Sequence, residues 1–89
     1  MTICSIPENS TAQNFEEIIH FADAQFAVEN YQLAVKEYQR ALFFSKGRKV
    51  DYLYRQIAHS FLANKQLDQA AYFYELSYKT ARMIALRMR

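Results

Sequence analysis

Ala22, Ala27, Ala34 and Tyr38 return 36 positions later as Ala58, Ala63, Ala70 and Tyr74. The positions between them keep their character: Ile18 pairs with Tyr54, Phe21 with Ile57, Phe26 with Leu62 and Tyr31 with Leu67, all large and apolar. The chain is an internal duplication. A unit of this length holding two stretches of helical periodicity is a helical hairpin, which cannot bury its own apolar stripe and becomes stable by stacking on a neighbour. The duplication therefore predicts an all-α fold of two antiparallel hairpins. Such stacks expose broad surfaces and point to binding rather than to catalysis.

Boundaries follow from local chemistry. Residues 1–13 are polar and read as an irregular N-terminal segment, after which Asn14 and Glu17 make a capping-box pattern ahead of an apolar run. The helical domain is placed at 14–89, with repeat one over 14–46 and repeat two over 50–89. Phe15, Ile18, Ile19, Ala22 and Phe26 recur at three- and four-residue steps and predict a first helix ending near Val28. Glu29-Asn30 forms a short polar turn, and Tyr31, Ala34, Val35, Tyr38, Ala41 and Leu42 mark a second helix, antiparallel because the turn is short. Ser45-Lys46-Gly47-Arg48-Lys49 joins the repeats, its glycine suited to a left-handed helix end. Leu53, Tyr54, Ile57, Ala58, Phe61 and Leu62 form the third helix, Asn64-Lys65-Gln66 the second turn. A long fourth helix starts near Leu67 and meets no stop signal before Arg89.

Composition narrows the function. An apolar fraction of 52% among 89 residues is enough for a folded domain with a thin core. A net charge of +2 lacks the dense basic stripe of a nucleic-acid binder. The basic loop Lys46, Arg48, Lys49 and the tail Lys79, Arg82, Arg87, Arg89 read as helix-end complementarity, and the tyrosines at helical spacing as core. Cys4 is the single cysteine and can form neither an internal disulfide nor a metal cluster. Met1–Pro7 lacks the features of a secretory signal, and charged residues interrupt every apolar run short of a bilayer span. The expectation is a soluble, cytoplasmic chain without a cofactor. Asn9-Ser10-Thr11 matches the glycosylation triplet, read here as coincidence.

Within each hairpin a small residue in the middle of the first helix, a large apolar residue after the turn and Ala-x-x-x-Tyr in the second helix together resemble the tetratricopeptide repeat. The run Tyr31-Gln-Leu-Ala34-Val-Lys-Glu-Tyr38-Gln-Arg-Ala41-Leu42 carries the likeness best, followed by Leu67-Asp-Gln-Ala70-Ala-Tyr-Phe-Tyr74-Glu-Leu-Ser77-Tyr78. Ala22, Ala58, Ala34, Ala70 and Ala41 stand where helix backbones approach closely. Ala22 and Ala58 replace the family's usual Gly, Ile18 and Tyr54 its frequent Trp, and Lys46 and Arg82 its closing Pro. The resemblance covers about residues 15–80. It implies a right-handed superhelical stack that serves as a non-catalytic interaction scaffold, with a protein or peptide as partner.

Two surfaces become candidates. By resemblance, the concave face is lined by the first helix of each hairpin, which places Ile19, Asp23, Phe26, Tyr52, Arg55, Gln56 and His59 on it. A small adaptor or chaperone would hold an extended peptide there, with Arg55 and His59 as the groups able to grip an acid. In the fourth helix, Leu67, Ala70, Ala71, Tyr74, Tyr78, Ala81 and Ala85 form the stripe expected to pack on their own hairpin. Phe73, Leu76, Met83 and Leu86 then form a second apolar face, expected to pair with another copy in a homodimer. His20 and Asp23 have a spacing that could serve a metal or acid–base pair, but no third ligand accompanies them. No phosphate loop or nucleophile motif is present, so no enzyme is expected.

Overall fold

The computed structural model describes residues 11–87, with side chains from residue 14 onward. Four helices follow one another: α1 (Thr11–Ala27), α2 (Tyr31–Ser45), α3 (Val50–Ala63) and α4 (Leu67–Arg87), with no strand among the described residues. Packing runs between sequence neighbours, α1 on α2, α2 on α3 and α3 on α4. The chain is therefore all-α and built of helical hairpins. Cys4, Asn9, Ser10 and Arg89 lie outside the described residues.

The first helix begins earlier than its capping pattern implies. Thr11 opens α1, so Asn14 sits inside the first turn and does not act as the N-cap. The cause is local: Ala12 and Gln13 are good helix formers, and nothing in this stretch forces the chain out of helical geometry. The other three starts agree with the periodicity.

Both hairpin turns have the same construction. Ala27 ends α1, Glu29 takes a left-handed φ of 65°, and the N–H groups of Glu29 and Asn30 donate to the carbonyls of Phe26 and Gln25 at 3.0 and 2.8 Å. In the second hairpin Lys65 has φ 65°, and Lys65 and Gln66 donate to Leu62 and Phe61 at the same two distances. These paired bonds define a Schellman ending, which satisfies carbonyls that the helix leaves open. Glycine is the residue such a site favours, and here Glu29 and Lys65 carry the steric cost of a Cβ. Glu29→Gly and Lys65→Gly are each expected to stabilise the fold by about 0.5–1 kcal/mol, net of glycine's entropy. Urea unfolding midpoints read this directly; a lower midpoint in both variants would contradict the assignment.

The linker between hairpins is held by Arg48. Its guanidinium donates to the carbonyls of Ser45 (2.8 Å) and Phe44 (3.2 Å) and lies 4.3 Å from the Phe15 ring centre. One side chain thus closes the open C-terminus of α2 and ties it to α1. The core lies along the inner faces of all four helices: Phe15, Ile18, Ala22, Ala34, Tyr38, Ala41, Leu53, Ile57, Phe61 and Ala70 are buried in one cluster. Ala58 is buried as well. The five alanines expected at close helix approaches are all inside, where a larger side chain would push helices apart.

Candidate functional site

The polar centre of the molecule is Asp23 on α1. Its Oδ1 accepts hydrogen bonds from the hydroxyl of Tyr38 on α2 and, at 2.9 Å, from that of Tyr52 on α3. Tyr38 in turn accepts from Nε2 of Gln56 at 3.1 Å. One carboxylate thereby links three helices across the junction of the two hairpins. The second hairpin repeats the inner half of this pattern: His59 stands 36 positions after Asp23, Tyr74 the same distance after Tyr38, and His59 Nδ1 meets the Tyr74 hydroxyl at 2.5 Å. The duplication extends from the fold to this side-chain bond.

Burial and the neighbouring carboxylate act together on the two phenols. Removal from water disfavours tyrosinate, and donation to Asp23 stabilises the protonated form further, so Tyr52 is pushed up to about 12 and Tyr38 is raised too. The positive charge of Arg55 offsets a small part of the shift at Tyr52. The cluster stays in its neutral-phenol, hydrogen-bonded form across the physiological range.

Four of the seven residues expected on a concave face, Asp23, Tyr52, Gln56 and His59, take part in these two sets of bonds. Ile19 is 5% exposed and belongs to the core cluster, as its place in the apolar stripe of α1 implies. Phe26 is half-buried and meets Tyr31 edge to face, the ring centres 5.6 Å apart. Arg55 alone of the seven is exposed. His20 is exposed while Asp23 turns toward the tyrosines, so the two form no acid–base pair.

The fourth helix is rotated relative to its expected orientation. Ala70 and Ser77 are buried, and Phe73 and Tyr74 pack against the core. Phe73, expected on the outer face, stacks on Phe61 at 5.6 Å and lies 6.1 Å from Tyr54. Phe73 carries no polar atom into this contact with two aromatic rings of α3, whereas Tyr78 keeps its hydroxyl in water. Leu76 is half-buried. Tyr78, expected inside, is 65% exposed. Ala71 also faces water, and from Ala81 to Arg87 every side chain is exposed, Met83, Ile84 and Leu86 among them. Comparison between the repeats matches Tyr78 with Leu42, which is half-buried and packs on the core, so it does not find this exposure. The Asp23–His59 correspondence, and the bonds built on it, could have been read from that comparison.

At the opposite end, α1 leaves Phe21 46% exposed beside Glu17. No helix among the described residues is long and apolar enough to cross a membrane. No protein-family model matches the sequence, and no curated protein or solved structure matches it either.

Proposed function

We propose that the chain is a non-catalytic interaction module of tetratricopeptide type, its hairpins stacked with that family's right-handed superhelical offset, and that it self-associates through the outer face of α4. The carrying observation is the apolar surface that α4 leaves in water on the side away from Ala70 and Ser77: Tyr78, Met83 and Leu86 are all more than three-fifths exposed. Exposed side chains of this size clustered on an element mark an interaction surface. The identical turns and the matched Asp23–Tyr38 and His59–Tyr74 contacts support a true structural repeat, and a repeat stack ends on a face shaped for a further unit.

A groove that grips an extended peptide, as a small adaptor or chaperone would use, has weaker support. Most polar groups expected to line it already bond one another, which leaves Arg55 as the exposed cation.

Light scattering over a wide concentration range tests self-association. The parent chain is expected to rise above the 10.5 kDa of one copy, and a Tyr78→Asp, Met83→Glu, Leu86→Glu triple variant to remain at that mass. A parent that stays at one copy throughout would overturn the reading.

A further inference from the structure

The two ends of the molecule are complementary halves of its own internal junction. Where the hairpins meet, α3 buries Leu53, Ile57 and Phe61, while Val35 and Leu42 of α2 pack against the same core. The corresponding side of α1 carries Glu17, Phe21 and Gln25, and the corresponding side of α4 carries Ala71 and Tyr78. Phe21 and Tyr78, in the places of Ile57 and Leu42, are large apolar groups left exposed on these two sides.

The polar bonds of the junction have partners in the same register. Inside the chain, Asp23 joins Tyr38 of its own hairpin to Tyr52 of the next, and Gln56 donates back to Tyr38. At the free end His59 stands for Asp23. Its Nδ1 meets Tyr74, which leaves Nε2 as the atom available for a following unit. The residue corresponding to Tyr52 is Glu16, and that corresponding to Gln56 is His20. A carboxylate thus replaces the phenol where an imidazole replaces the carboxylate, and His20 offers Tyr74 the N–H that Gln56 offers Tyr38. Glu16 also lies 3.4 Å from Lys49, in a pair about half exposed on each side. Glu16 and Glu17 make one end acidic, and Arg55 and Arg82 make the other basic.

Helix lengths agree with this pairing. At the internal junction the C-terminal end of α2 lies beside the N-terminal end of α3, as the short linker requires. Helix α4 has 21 residues against 15 in α2, the extra length at its C-terminal end; α1 has 17 against 14 in α3, the extra length at its N-terminal end. Both extensions occur at the ends that would lie side by side.

We infer that a second copy of the chain docks head to tail, its α1 face carrying Glu16, His20 and Phe21 against the α3–α4 face carrying His59, Tyr74 and Tyr78. This rests on the self-association reading above and fixes its geometry. The contact joins two different surfaces, so each added copy presents a fresh half-site and growth continues beyond two. Replacing Leu53 by Glu17 and Val35 by Ala71 removes apolar area relative to the internal junction, which makes the contact weaker and salt-sensitive.

Two single variants and their mixture decide the matter. Phe21→Asp blocks the head and Tyr78→Asp the tail, both at exposed positions, with circular dichroism and melting temperature to verify that each folds. The parent is expected to exceed twice 10.5 kDa as concentration rises, each variant to stay at one copy, and their equimolar mixture to form complexes of two chains. A Phe21→Asp chain that still pairs, or a mixture that stays at single copies, overturns the head-to-tail geometry while leaving self-association through α4 in place. A parent that never associates overturns both.

Discussion

Tyr38→Ala is expected to destabilise the fold by about 3–5 kcal/mol, the cost typical of removing a large, fully buried aromatic side chain. A domain of this size has a total stability of order 5–10 kcal/mol, so the variant sits at the edge of unfolding. The loss has two parts. Tyr38 is completely buried between the hairpins, and its hydroxyl both donates to Asp23 and accepts from Gln56. Tyr38→Phe keeps the ring and leaves Gln56 without its acceptor, while Asp23 retains Tyr52; about 1–2 kcal/mol is expected. Urea denaturation of the two variants separates the contributions. Equal losses would mean that the hydroxyl, and not the ring, holds the junction together.

Alkaline solution should dismantle the same junction. Tyr52 is pushed up to about 12 from an ordinary value of 10.0, by burial first and by Asp23 second, and Tyr38 shifts in the same direction. A phenol whose folded pKa is raised binds its proton more tightly in the folded state. The stability it contributes is complete below about pH 10, where the unfolded phenol titrates, and is lost as pH rises toward the folded values. Tyr52 is only partly buried, so solvent screens more of its share, whereas Tyr38 is fully buried between helices and dominates. The expected result is cooperative loss of helical dichroism above about pH 10, accompanied by a rise in tyrosinate absorbance. Tyr38→Phe should flatten this slope even though it lowers stability at neutral pH. An unchanged slope would remove the cluster from the account.

The hairpins and their turns were legible because the sequence states them twice. Glu29-Asn30 and Lys65-Gln66 occupy corresponding positions, and each interrupts an apolar stripe at the same phase. The five alanines were legible for the related reason that close helix contact admits little else. The start of α1 was not, since a capping pattern at Asn14 and Glu17 is a local signal and Ala12-Gln13 continue the helix through it. The orientation of α4 was missed because Phe73, Tyr74 and Tyr78 are all aromatic, so the pattern alone does not say which face turns inward. Contact with Tyr54 and Phe61 decides it, and that contact depends on the position of α3. Ile19 was placed on an open face by resemblance alone, while its position in the apolar stripe of α1 marked it as core, and its burial agrees with the stripe.

Packing between consecutive helices has a kinetic consequence. Each helix finds its main partner across a turn of a few residues, so little loop-closure entropy stands in the way of any one contact, and folding proceeds quickly through local encounters. The inner helices α2 and α3 are each flanked on two sides, whereas α1 and α4 are each held mainly by one neighbour. Packing within each hairpin is nevertheless more extensive than packing between them, so opening begins where α2 meets α3, at the junction held by Tyr38 and Gln56, and the hairpins come apart before they unravel.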